Sequence, residues 1–233
     1  MSKKNTRIKR RKVSIIIPTY NESATIVKII REIKQLRKIF PLEIIVIDAN
    51  SPDHTAKLAE KEKVTVIKRK KKYGKGADFW MAANKSTADY IVQIDGDYQF
   101  SPKEIPLLVQ ALEKGADVAL GWRVSHKGAP FVRTMGNFLF VSVTSILVGR
   151  KIHDVVAGFK AFKRNALLSL NLQEAHFGYE GEVVVKAARM GFTIAQVPVS
   201  YRNRTAGKSQ VNPLRDGLLT IWSLVKARYM KLH

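Results

Sequence analysis

Tyr90-Ile91-Val92-Gln93-Ile94-Asp95-Gly96-Asp97-Tyr98-Gln99 is the stretch that decides the fold. A run rich in β-formers stops at two carboxylates separated by one glycine. A near-continuous apolar run of this kind reads as a strand buried on both faces, as in a parallel sheet. In open α/β sheets, ligands bind beyond the carboxyl ends of the strands. An Asp-x-Asp pair at that place offers hard oxygen donors for a divalent cation held against the phosphates of a nucleotide. Gly96 takes a Cβ out of the way of a ligand. The same short pattern also fits a helix cap followed by a turn aspartate, so the chemistry at the other strand ends has to decide.

Upstream, three strand–helix units precede this strand. Val13–Ile17 is apolar and ends at Pro18-Thr19-Tyr20-Asn21-Glu22; Ile26, Ile29, Ile30, Ile33 and Leu36 then recur at helical spacing. Glu43–Ile47 ends at Asp48, placed for hydrogen bonds from a base or ribose. The loop after it carries Asp53 and Thr55, for which plain helix capping is the simpler expectation. Val64–Ile67 runs into the basic stretch 68–72, expected as solvated surface. Gly74-Lys75-Gly76 follows, two glycines around a lysine that suit a phosphate cradle. The spacing is not that of a Walker loop, and the dinucleotide glycine fingerprint is absent. Three such units and a fourth strand tipped with carboxylates predict a Rossmann-like, mainly parallel sheet with flanking helices. A nucleotide-sugar site fits it better than a nicotinamide site.

Downstream, Ile105, Leu108, Val109 and Leu112 mark one helix face, and Asp117–Gly121 a fifth strand ending at Trp122-Arg123. The run 138–148 is apolar nearly all round yet too short to span a bilayer. It fits a buried core helix and a membrane-interface helix equally. Asp154 to Phe162 reads as a loop feeding a strand, Tyr179 opens a helix, and Phe192–Val199 is a late strand. The basic, glycine-containing loop 201–210 has the composition to fold over a diphosphate. Leu214, Leu218, Ile221, Trp222, Val225 and Tyr229 are expected to form one stripe of a C-terminal amphipathic helix.

The 233 residues suit one large α/β domain, divided here into a basic tail (1–12), a catalytic domain (13–212) and the amphipathic helix (213–233). There are no cysteines, which removes disulfides and thiolate metal sites. With 41 Lys and Arg against 19 Asp and Glu, the net charge is +22. That excess calls for an anionic partner: nucleic acid, an anionic membrane or a phosphorylated substrate. No helix-turn-helix or aromatic RNA motif accompanies it, and nucleic acid leaves the strand-end carboxylates unexplained, so no nucleic-acid partner is expected.

The ordered set Pro18–Glu22, Asp48 with Asp53-His54-Thr55, Gly74–Gly76, Asp95–Gln99, Gly121–Arg123, Asp154 with Gly158-Phe159, and Arg204 with Gly207 and Ser209 resembles the family 2 glycosyltransferases of GT-A fold. Within them it is most similar to the dolichyl-phosphate (polyprenyl-phosphate) mannose synthases, over about residues 13–212. The resemblance implies that Pro18, Tyr20, Glu22 and Asp48 hold the nucleoside and that Asp95 contacts the nucleotide or sugar. Lys75, Gly96 and Lys208 join the donor-binding set. Asp97 and Gln99 would ligate Mg²⁺ or Mn²⁺ on the diphosphate, and Arg204 would close on the donor phosphates. Arg123, Arg133 and Asn137 match positions for the lipid phosphate, Asn137 standing where a serine is usual. Asp95, Asp97, Arg123 and Arg133 form the expected catalytic group. The chain departs from the pattern at Asp48-Ala49-Asn50-Ser51, at Ser209-Gln210 and at Trp122.

The reaction so implied is inverting transfer of a hexose, mannose from GDP-mannose first, to dolichyl or polyprenyl monophosphate. The alternative is UDP-glucose or UDP-GlcNAc with a lipid-phosphate or polysaccharide acceptor. A phosphate monoester, with its second pKa about 6, is already mostly dianionic at neutral pH and needs no general base. A hydroxyl acceptor needs one. The lipid tail implies a peripheral enzyme on the cytoplasmic face of an anionic membrane, self-anchored or held by a small membrane subunit.

Overall fold

Parallel pairing requires crossovers, and the spacing of the first four strands supplies them. The structure, a computed structural model, describes residues 11–124, 131–204 and 213–230, without the side chains of 131–138, 213–216 and 218. Along the chain run β1 (Val13–Thr19), α1 (Ile26–Gln35), β2 (Leu42–Asp48), α2 (Thr55–Lys61), β3 (Thr65–Lys68), α3 (Lys75–Lys85) and β4 (Tyr90–Ile94). Then come α4 (Ile105–Glu113), β5 (Val118–Arg123), α5 (Phe131–Val148), β6 (Phe159–Lys163), α6 (Arg164–Ser169), α7 (Tyr179–Arg189), β7 (Ile194–Val199) and α8 (Pro213–Tyr229). The strands form one seven-stranded sheet in the order β3-β2-β1-β4-β6-β5-β7. β1, β2, β3 and β4 pair in parallel, as do β5 and β7; β6 alone is antiparallel to both of its neighbours.

Period-2 alternation divides the side chains between two cores. Val13, Ile15 and Ile17 of β1 pack with α1 and α4. Ile16, with Ile91 of β4, faces Phe79 of α3 and Tyr179 and Val183 of α7. Gln93 lies on that second face, fully buried, and so needs a polar partner there. The sheet is thus covered on both sides, and the strand tips are left as the natural place for a ligand.

α8 differs from expectation, and α5 takes a place between the two that its sequence left open. In α8 the buried residues are Thr220, Ser223, Leu224 and Ala227, while Trp222 and Tyr229 of the expected stripe are 66% and 78% exposed. Glycines at the start of α7, Gly178 just before it and Gly181 within it, explain the turn of this helix. A Cβ at Gly181 would lie 2.4 Å from Leu224 Cδ2, and one at Gly178 2.5 Å from Ser223 Oγ. The close approach therefore selects the face of α8 that carries Ser223 and Leu224 rather than the one with Trp222 and Tyr229. In α5, Thr144 is fully buried, whereas Ile146 is 79% exposed. That helix is not wholly buried in the core, and its apolar composition is shared between a packed face and an open one.

Candidate active site

The chain turns directly after β4. Asp95 follows the last strand residue, and Tyr98 takes a left-handed conformation (φ 59°) that returns Gln99 toward the sheet. Asp97 Oδ1 accepts the Gln99 backbone N–H at 3.1 Å, which fixes the turn and leaves Oδ2 directed elsewhere. The segment after β7 lies alongside: the Arg202 N–H donates to the Gln99 carbonyl at 2.9 Å, and the Gln99 side-chain amide donates to the Arg202 carbonyl at 3.0 Å. This reciprocal pairing carries Arg204 over the strand tips. Its Nη2 stands 3.0 Å from Asp97 Oδ2 and 3.0 Å from Glu22 Oε1. Residues from the ends of β1, β4 and β7 thus meet at one point.

Electrostatics follow from that crowding. Burial raises the Glu22 carboxyl to about 7; Arg204 opposes the shift while Asp97 and Asp95 add to it. Burial likewise raises Asp95 to about 6, against the pull of Lys75 and with the push of Asp97 and Glu180. Lys75 Nζ lies 2.7 Å from Asp95 Oδ1 and 3.0 Å from Glu180 Oε1. Burial disfavours its charge, but the two carboxylates outweigh burial and raise its pKa.

The glycines beside Lys75 have a different task from the one expected. A Cβ on Gly74 would meet the Ala175 carbonyl oxygen at 2.2 Å, and one on Gly76 the Glu174 carbonyl oxygen at 2.3 Å. The room that suggested a phosphate cradle is filled by the backbone of 174–175, and only Lys75 of that trio points into the site. Gly96 is similar. Its missing Cβ would lie 2.9 Å from Thr19 Cγ2, so it serves the packing of the strand tips of β4 and β1.

Asp48 is 2% exposed. It accepts the Ser51 N–H at 2.9 Å, the Ser51 hydroxyl at 2.6 Å and the Thr19 hydroxyl at 3.2 Å. It ties the loop that follows β2 to the tip of β1. Asp53 does more than cap: besides the Thr55 N–H at 3.1 Å, it accepts the Ser23 N–H across the strand ends at 3.0 Å. Tyr20 lies next to Pro18-Thr19 at the tip of β1, and Lys72 Nζ stands 3.3 Å from its ring centroid. Arg69 pairs with Asp78 at 2.8 Å. Lys68, Lys70, Lys71 and Lys72 of the basic stretch are exposed, as expected of solvated surface, and Arg69 is the half-buried member.

Arg123 is buried, and its guanidinium grips Asp154 through Nε at 2.6 Å and Nη2 at 2.9 Å. Burial lowers the pKa of Arg123 and the Asp154 carboxylate raises it, with a net rise. The side chains of Arg133 and Asn137, and the whole of Lys208, lie outside the described residues.

Among the described residues no three Asp, Glu, His or Cys side chains converge as a metal cage. Asp97 and Gln99 still suit a hard divalent cation, because they pair a carboxylate with an amide that has a carbonyl oxygen. Mg²⁺ is commonly held by one or two carboxylates with substrate phosphates completing the shell.

The model of the family described as Glycosyl transferase family 2 matches residues 14–170, more than half of the chain. The chain belongs to glycosyl transferase family 2. This glycosyltransferase is 31% identical over 215 residues to a dolichol-phosphate mannosyltransferase of Pyrococcus furiosus, a match covering 86% of the chain and 59% of that relative. It is 29% identical to a dolichyl-phosphate hexose transferase of Haloferax volcanii, with 92% of each covered. The chain thus spans less than two thirds of the Pyrococcus relative's length. Among solved structures, glucosyl-3-phosphoglycerate synthase from Mycobacterium tuberculosis, in complex with Mn²⁺, UDP and phosphoglyceric acid, superposes with a TM-score of 0.76 at 24% identity. That match covers 95% of this chain and 80% of the other. It shows the fold, a GT-A arrangement.

The structure of the glycosyltransferase brings Glu22, Lys75, Asp95, Asp97, Gln99 and Arg204 together. Sequence reasoning missed Lys160, Glu180, Tyr179 and Lys72. A signal for the first was present: a lysine between Phe159, Ala161 and Phe162 is out of place in a buried strand. Gln93, opposite Lys160 in the β4–β6 register, is out of place for the same reason.

Proposed function

We propose that this glycosyltransferase moves a hexose from a nucleoside diphosphate to dolichyl or polyprenyl monophosphate, with GDP-mannose as the first choice of donor. The observation that carries the reading is Arg204 lying across Asp97 and Glu22. It sets a cation beside strand-end carboxylates, the combination that a diphosphate leaving group requires. The names of the Pyrococcus and Haloferax relatives support the lipid-phosphate acceptor.

A divalent ion, Mg²⁺ or Mn²⁺, held by Asp97 and Gln99 would offset charge on the leaving diphosphate. The chain's own residues do the rest. Asp97 and Gln99 share the turn that holds them in one orientation. Arg204 closes on the donor phosphates, and Lys75 keeps a positive charge beside Asp95. Arg123, held by Asp154, is the cation proposed to orient the acceptor dianion for in-line attack; the family resemblance adds Arg133 to that role. In-line attack inverts the anomeric carbon, so an α-linked donor gives a β-linked product. Glu180, the carboxylate next behind Asp95, suits no role as a base. Burial favours its protonated form, but Lys160 and Lys75 hold it down to about 2.

The acceptor's tail keeps it in a bilayer, so the enzyme works at a membrane surface. Among the described residues no helix is long and apolar enough to cross a membrane. α5 and α8 expose Leu139, Ile146, Leu219, Trp222 and Tyr229, apolar area suited to an interfacial helix. The excess of lysine and arginine favours anionic lipid and the cytoplasmic face.

The reading is tested by incubating the protein, Mn²⁺ and dolichyl phosphate with radiolabelled GDP-mannose, UDP-glucose or UDP-GlcNAc in turn, then extracting into organic solvent. Label from GDP-mannose in the organic phase is expected. Label that stays aqueous with all three donors would overturn the lipid acceptor; organic label from a uridine donor alone would replace the sugar and the nucleotide.

A further inference from the structure

Behind Asp95 the molecule buries charges that the proposed chemistry does not use. Lys160 is 1% exposed and Glu180 2% exposed. They form an ion pair, and the other Glu180 oxygen receives Lys75 at 3.0 Å. Lys75 in turn reaches Asp95 at 2.7 Å. The four charges alternate in sign from the core to the strand tip: Lys160, Glu180, Lys75, Asp95. The Gln93 side-chain amide donates to Glu180 Oε1 at 3.3 Å and to the Tyr179 hydroxyl, which ties β4 to the row, while Gln93 Oε1 is left without a hydrogen-bond partner. Lys160 has a second hold, donating to the Ala157 carbonyl at 2.5 Å. The next residue, Gly158, is so close to Asp95 that a Cβ there would lie 2.0 Å from Oδ2. One buried ammonium therefore governs Asp95 from two sides, through Glu180 and Lys75 and through the backbone at 157–158.

A buried ion pair is a poor source of stability, because desolvation offsets most of the attraction. Well-packed apolar side chains would fill the same space at less cost. The row of charges is better explained by what it does at its exposed end.

We propose that Lys160 and Glu180 are positioning residues for the donor site, setting how the Lys75 ammonium is shared between Glu180 and Asp95. This rests on the reading that Lys75 and Asp95 face a nucleoside diphosphate donor. With Lys160 removed, Glu180 keeps a single counter-ion and draws Lys75 inward. Asp95 then presents uncompensated negative charge to the diphosphate. With Lys160 and Glu180 both neutralised, the net charge of the row returns to zero and Lys75 pairs with Asp95 alone. The two changes together should therefore do less harm than the first alone, a sign that independent structural damage does not give.

The test is calorimetric titration of GDP, and in parallel UDP, in the presence of Mn²⁺, with the wild type, Lys160→Met and Lys160→Met/Glu180→Gln. For the nucleotide that binds, Lys160→Met should raise Kd about tenfold, a change of about 1.4 kcal/mol, and the double variant should return to within about threefold of wild type. Partial unfolding would lower the fitted stoichiometry and leave Kd alone, which separates a structural role from a positioning one. Wild-type Kd in Lys160→Met, or a double variant as weak as the single one, would overturn the proposal. If the wild type binds neither nucleotide, the donor reading fails, and the row is then judged on Lys75 itself. Acylation of its amine, followed by peptide mass spectrometry, should be several-fold faster in Glu180→Gln than in the wild type. An unchanged rate would mean that Glu180 does not hold Lys75, and the positioning role would be lost.

Discussion

Replacing Arg204 by methionine should make the unliganded glycosyltransferase bind Mn²⁺ more tightly. The guanidinium touches both Asp97 and Glu22 at 3.0 Å, so a metal arriving at Asp97 must compete with a cation that is already there. The side chains are 23%, 10% and 10% exposed for Arg204, Glu22 and Asp97. The contact therefore lies between an exposed ion pair, worth about 0–1 kcal/mol, and a buried one, whose loss costs about 3–5 kcal/mol. A middle value near 1.4 kcal/mol corresponds to a tenfold change in Mn²⁺ affinity. Electron paramagnetic resonance of the free aqua ion reads that affinity directly, without donor or acceptor. Adding GDP or UDP should tighten Mn²⁺ in the wild type, since a diphosphate offers Arg204 another partner. The gain should be smaller in Arg204→Met, where nothing has to be moved. Arg202→Met is the control for loss of one positive charge nearby, because Arg202 stands over the Tyr98 ring rather than on the carboxylates; its effect should be under threefold. If Arg204→Met binds Mn²⁺ no better than wild type in the absence of nucleotide, the guanidinium does not occupy the cation's place and the reasoning fails.

Four further outcomes are expected. Asp97→Asn should abolish transfer and weaken Mn²⁺-dependent nucleotide binding by tenfold or more; wild-type turnover and metal response in that variant would remove Asp97 from the metal site. Asp154→Ala leaves Arg123 buried without its carboxylate and should lower stability by about 3–5 kcal/mol in urea denaturation, with a loss below 1 kcal/mol counting against the pair. Glu22 has a folded-state pKa raised from 4.5 to about 7, so the folded protein binds more protons than the unfolded chain between those values, and stability falls as pH rises through that window. In EDTA, the Tm of Glu22→Gln should therefore gain on wild type from pH 4.5 to 7; a constant difference would deny the shift. Purified protein should float with anionic vesicles at low salt and be released in part by high salt, and Trp222→Ser should weaken flotation; a protein that stays at the bottom with every lipid yet glycosylates detergent-solubilised acceptor would point to a partner anchor.

The sequence alone determined the sheet and its active end. Apolar runs of strand length separated by helical periodicity admit little except a mainly parallel sheet, and Asp48, Asp95 and Asp97 had to fall at strand tips because they directly follow those runs. These are local features, set by burial and by the period of the side chains. It did not determine which residues would meet. Arg204 reaches Asp97 because the segment after β7 pairs with Gln99, a contact across more than a hundred residues. Gly74 and Gly76 suggested a phosphate cradle until the backbone at 174–175 was found in the space they leave. The apolar stripe of α8 suggested a buried face, but Gly178, just before α7, and Gly181 within it take Ser223 and Leu224 inward instead. The row from Lys160 to Asp95 draws on β6, α7, α3 and the tip of β4, and no spacing along the chain encodes it. Such assignments depend on distances between elements, which packing of the whole molecule sets, and the low-dielectric interior turns those distances into the charge states on which a donor site depends.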